Sequence, residues 1–144
     1  MTPASPTASA GAVGAVSSTA DARQALGRNF RGLLGELLKL DHITGGLIVA
    51  LDGLVIAARL PREIQAEPLS ALAAALGREL ELRGPQLRRG NFPMAQFASA
   101  DGTAFLGSTP VGFIVLLGDP SADWDAIRSA LWTAVGTVHQ AWAG

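Results

Sequence analysis

Two Asp-Gly dipeptides, Asp52-Gly53 and Asp101-Gly102, sit between short apolar runs, with helix-like segments before, between and after them. Asp-Gly in that setting is the strongest short-range hairpin signal, because a type I′ turn needs positive φ at both central residues. The order it dictates is helix, two-stranded hairpin, helix, three-stranded meander, helix. That order specifies an α+β fold and, taken alone, carries no chemistry.

The first hairpin runs Leu47-Ile48-Val49-Ala50-Leu51, turns, and returns as Leu54-Val55-Ile56-Ala57-Ala58. Both strands are apolar throughout rather than alternating, as expected of a sheet covered on both faces. Pro61 ends the hairpin, and Pro68 suits the first turn of a middle helix that runs to Arg83 and stops at Gly84-Pro85. On that helix Leu69, Leu72, Ala73, Leu76 and Leu80 form a stripe, widened by Ala71, Ala74 and Ala75, which are small enough to let another helix approach closely. Met94 to Ser99 mixes polar and apolar residues and reads as a half-buried or edge strand. It is followed by Thr103-Ala104-Phe105-Leu106 and, after the turn Pro110 to Gly112, by Phe113-Ile114-Val115-Leu116-Leu117. Asp123 or Ser121 can cap a last helix on which Trp124, Ile127, Leu131, Val135, Val138 and Trp142 share one face. Trp132 and His139 fall off that face.

Residues 1–17 are low-complexity Ala, Ser, Thr, Pro and Gly and read as a disordered tail, with the folded domain at 18–144. Ser18 and Asp21 have capping-box spacing, and Leu26, Phe30, Leu33, Leu37 and Leu40 recur at helical steps after them. Gly27, Gly32 and Gly35 each weaken this helix by up to about 1 kcal/mol relative to Ala, so packing must hold it. The first twenty residues have no Lys or Arg and a broken apolar content, unlike a secretory signal. No later stretch approaches the ~18 apolar residues of a membrane span, so a cytoplasmic protein without membrane insertion is expected.

Eleven basic and twelve acidic residues give a net charge of -1, without the positive field that draws in nucleic acid. There is no Cys, hence no disulfide, thiolate metal site or Cys nucleophile, and two His are too few for a His-rich metal site. A 49% hydrophobic content implies an apolar surface patch that self-association would cover.

The sequence offers no catalytic, cofactor-binding or metal-binding residues. Gly84 and Gly90 bracket Pro-Gln-Leu-Arg-Arg without the Gly-Lys-Ser/Thr of a phosphate loop. Asp41 and His42 are sequence neighbours that do not face each other on a helix, and they read as a helix C-terminal end. Gly107-Ser108-Thr109 lacks a nucleophile elbow and reads as a strand-end turn. The local concentration of positive charge is Arg78 and Arg83 on the middle helix with Arg88 and Arg89 after it. These four and Trp132 are the candidate partner surface, because guanidinium groups dock acidic surfaces and exposed aromatics concentrate at binding hot spots.

The leucine-rich first helix leading to Ile43-Thr44-Gly45-Gly46, the hairpin from Leu47 to Ala57, the Ala/Leu-rich middle helix and the closing Gly112-Phe113-Ile114-Val115-Leu116-Leu117 together resemble the roadblock/LC7 (dynein light chain type) domain. The likeness lies with the bacterial branch associated with Ras-like GTPases. It implies α-ββ-α-βββ-α order, a five-stranded antiparallel sheet with helices on both faces, and a dimer in which middle helices pack together and third strands join two sheets into one. The interface residues this implies are Leu69, Leu72, Ala73, Leu76 and Leu80 on the helix and Met94, Gln96 and Ala98 on the strand. The function implied is a non-enzymatic homodimeric regulator or scaffold, without a cofactor, that binds a small Ras-like GTPase, with GTPase activation among its options. A structural adaptor with no effect on GTP hydrolysis is the alternative, and a small-molecule sensor is the weakest reading.

Overall fold

The structure, a computed structural model, describes residues 28–88 and 92–143. Helix α1 occupies residues 28–37 of this range. It is followed by β1 (Ile43–Ala50), β2 (Val55–Arg59), α2 (Ala66–Arg83), a 3-10 turn (Gly84–Leu87), β3 (Met94–Ser99), β4 (Gly102–Thr109), β5 (Gly112–Gly118) and α3 (Trp124–Ala143). The strands make one five-stranded antiparallel sheet in the order β2-β1-β5-β4-β3. Element order and fold class agree with the sequence reading. The tail, Ser18, Asp21, Leu26 and Gly27 lie outside the described residues.

Strands β1 and β5 are apolar on both faces because helices lie on both sides of them. Leu47, Val49, Phe113 and Val115 face α2, whereas Ile48, Ile114 and Leu116 face α1 and α3. From α1 come Phe30, Leu34 and Leu37, and from α3 come Ile127, Leu131, Val135 and Val138. Leu34 takes the core place that the helical count gives to Leu33, which is only half-buried. At the start of α3, the Asp123 carboxylate accepts the backbone N–H groups of Asp125 and Ala126, at 3.0 and 3.2 Å, and so caps the helix as expected.

Four local expectations need correction. Neither Asp-Gly forms a type I′ turn. At the first, only Gly53 has positive φ, +94°, and Gly53 N–H donates to the Ala50 carbonyl, closing a three-residue loop of Leu51, Asp52 and Gly53. The Asp52 carboxylate accepts the Leu54 N–H at 3.1 Å, so Asp stabilises the loop without adopting the left-handed conformation. The second turn centres on Ala100 and Asp101, with Gly102 already paired to Ser99. Apolar strand β2 is an edge, not a covered strand: Ala57 is buried, whereas Val55, Ala58 and Arg59 are exposed. Ser108 lies within β4 rather than at a strand-end turn, and its N–H donates to the Pro93 carbonyl.

The fourth correction bears on the site. The buried face of α2 is Ser70, Ala73, Ala74 and Gly77, so Ala74 rests on the sheet, whereas Ala71 and Ala75 are exposed. A Cβ at Gly77 would overlap the Phe113 ring, so glycine there lets α2 sit close over β5.

Candidate protein interface

Because α2 meets the sheet through small residues, its leucines are left at the rim. Helix α2 covers β1 and β5 and leaves the same face of β3 and β4 open. The gap is an apolar groove of about 260 Å³ between Leu69, Leu72 and Leu76 on the helix and Phe97, Leu106 and Leu117 on the sheet. Leu72 is 63% and Phe97 43% exposed, although both are large hydrophobics. Beside the groove runs β3, an edge strand whose outer backbone groups have no neighbouring strand among the described residues. At Phe97, Ala104 and Leu117 the groove opens into a wider concavity of about 490 Å³ walled by Pro61, Glu63, Ile64 and Asp101.

The structure brings Leu69, Leu72, Ala73 and Leu76 together along this groove, with Leu80 half-buried in the cluster beneath α2. The strand residues divide differently. Met94 packs against the core on the α1/α3 side, and Gln96 and Ala98 follow it by strand alternation, whereas Ala95 and Phe97 face the groove. Phe97 is the groove residue that the sequence reading missed. Its signal was present: it is the one aromatic in the edge strand, two residues from Ala95, on the face opposite Met94.

The basic residues have separate duties. Arg78 donates to the Leu51 carbonyl at 2.7 Å, tying α2 to the β1–β2 loop, and Arg83 pairs with Glu79 at 2.8 Å. Arg88 is exposed with φ of 57°, and Arg89 lies outside the described residues. Trp132 is 57% exposed on α3, in the opposite layer from α2.

His42 and Asp119 form a pair that the sequence separates by more than half the chain. His42, at φ 68°, places Nδ1 3.0 Å from the Asp119 carboxylate, and the Asp119 N–H donates to the His42 carbonyl at 2.9 Å. The hydrogen bond from His42 holds the Asp119 carboxyl below the ordinary aspartate value; slight desolvation opposes this, and the Ser121 N–H and the charge of His42 add to it. The pair clasps the α1–β1 turn to the β5–α3 turn, whereas Asp41 is exposed and takes no part. Among the described residues, no group of three or more metal-ligating side chains converges, and no helix is long and apolar enough to cross a membrane.

No protein-family model matches the chain. Myxococcus xanthus MglB superposes with a TM-score of 0.74 at 13% identity, over 81% of this chain and 90% of that one. A Roadblock/LC7 domain from Streptomyces avermitilis superposes with a TM-score of 0.69 at 19% identity, over 79% of this chain and 98% of that one. The chain folds as a roadblock/LC7 domain. In this roadblock/LC7 fold, the open groove and edge strand lie on the single-helix face of the sheet. By sequence the chain also belongs to one family with uncharacterized protein MJ1340 of Methanocaldococcus jannaschii, 30% identical over 106 residues, which are 74% of this chain and 93% of that protein.

Proposed function

We propose that the protein is a non-enzymatic homodimeric regulator or scaffold, cytoplasmic in location, that binds a small Ras-like GTPase. The observation that carries this reading is the apolar groove beside an unpaired edge strand. An open edge next to exposed Leu72 and Phe97 is an aggregation hazard unless another chain occupies it, and a second copy offers the same edge and groove in return. Leu69, Leu72, Ala73, Leu76, Leu80 and Phe97, with the β3 backbone, are the interface; Met94, Gln96 and Ala98 lie on the far side of that strand.

The sequence resemblance to the GTPase-associated branch of the family supports the choice of partner, and the fold shared with MglB agrees with it. The GTPase carries the nucleotide and magnesium, and this protein supplies a composite surface from two copies. Arg89 and Trp132 are the candidate contacts, since Arg78 and Arg83 already hold partners within the chain and Arg88 lies at the end of α2 that faces the second copy.

The test is GTP hydrolysis and GDP release by small Ras-like GTPases of the same organism, with and without this protein, beside size-exclusion chromatography of the mixture. A complex with changed turnover is the expected result. A complex with unchanged turnover leaves a structural adaptor, and the absence of any complex removes the GTPase from the account.

A further inference from the structure

Helix α2 has opposite chemistry at its two ends. It begins beside the wide concavity, whose wall includes Glu63, Asp101 and Asp119 and, among the described residues, no Lys or Arg. Arg62, beside Glu63 in sequence, is exposed and outside that wall. Asp119 is engaged by His42, which leaves Glu63 and Asp101 as the open carboxylates. The far end carries Leu82 and Leu87, both exposed, and then Arg88. Glu79 there is paired with Arg83, and Glu81 accepts the Ser108 hydroxyl. Arg88 has no side-chain partner at that end among the described residues; its backbone N–H donates to the Pro85 carbonyl, and the residue is exposed.

These ends are placed by the sheet. The start of α2 lies beside Phe97 and Asp101, at the end of β3. Its last turns lie at the start of β3, because Glu81 meets Ser108, whose N–H bonds the Pro93 carbonyl. So α2 runs opposite to β3. A twofold that joins two β3 edges and keeps both α2 helices on one face must be perpendicular to the sheet, which makes the strands, and therefore the helices, antiparallel. The Arg88 end of each helix then lies over the acidic end of the other.

We infer that Arg88 of each copy enters the acidic mouth of the second copy, between Glu63 and Asp101, with Leu87 seated on Ile64, so that two symmetric ion contacts set the register of the dimer. This rests on the dimer proposed above and adds what fixes its alignment. Contacts at a wet rim add little affinity but penalise shifted or mismatched pairings by bringing like charges together.

The test measures dimer dissociation by sedimentation equilibrium for the full chain, for Arg88→Glu and for the double variant Glu63→Arg/Asp101→Arg, at low and high salt. Each variant is expected to dissociate about tenfold more readily at low salt, with a smaller difference at ~0.5 M salt, where charges are screened over a few Å. An equal mixture of the two variants should regain wild-type strength, because both contacts across a mixed dimer then join opposite charges. Variants that dimerise like wild type, or a mixture no tighter than its components, would overturn the ion contacts while leaving the dimer intact. A wild-type chain that stays monomeric at every concentration would instead remove the dimer itself.

Discussion

The two faces of the sheet use the same strands to opposite ends. On one face α1 and α3 lay Phe30, Leu34, Ile127 and Leu131 over the strands and close the layer. On the other, a single helix approaches through Ser70, Ala73, Ala74 and Gly77 and leaves its leucines and Phe97 at the surface. Large side chains turned inward complete a core, whereas small ones bring a helix close and leave its large ones over for a partner. The first face accounts for stability, the second is the one proposed to carry association, and substitutions should separate them.

The largest expected effect is on the closed face. Leu131, fully buried, should cost about 2–5 kcal/mol when cut to Ala, read by denaturant unfolding. An equally large loss from Leu72→Ala would break the comparison. On the open face, Leu72→Asp should leave the secondary structure unchanged and weaken dimerisation by about 2 kcal/mol or more, read by sedimentation, because a charge would enter an apolar contact. Loss of the fold instead would mean that Leu72 belongs to the core. Gly77→Ala tests why α2 sits so close: the added methyl meets the Phe113 ring and should cost about 1–3 kcal/mol despite alanine's better helix propensity.

The smallest effect concerns His42 and Asp119. A carboxylate whose folded pKa is depressed contributes stability that is full above its unfolded value and is lost as pH falls through the folded one. The melting advantage of wild type over Asp119→Asn should therefore hold at neutral pH and shrink as pH falls from about 4 through the lowered value of the folded carboxyl. The absence of any gap at neutral pH would assign the clasp to the Asp119 N–H and His42 carbonyl contact alone, which the variant keeps.

Much of this division was legible in the sequence. Unbroken apolar runs marked β1 and β5, and the helical spacing of Ile127, Leu131, Val135 and Val138 marked the closed layer, because period and hydrophobicity alone decide those positions. What escaped depended on pairing between distant segments. An apolar run reads the same at an edge as at the centre, so β2 passed for a covered strand. The Leu stripe of α2 was found, but not that Ala73, Ala74 and Gly77 would be the residues turned to the sheet, since small residues carry a weak periodic signal. Phe97 was missed because the side a strand residue faces depends on its register with β4. The His42–Asp119 contact needs two turns that only the closed sheet brings together, and no local spacing announces it.

The most direct measurement is the mass of the intact protein by light scattering across micromolar concentrations. The account predicts twice the 14.8 kDa of one chain for wild type, falling to one chain for Leu72→Asp. A well-behaved wild-type particle of a single chain's mass throughout that range would contradict it.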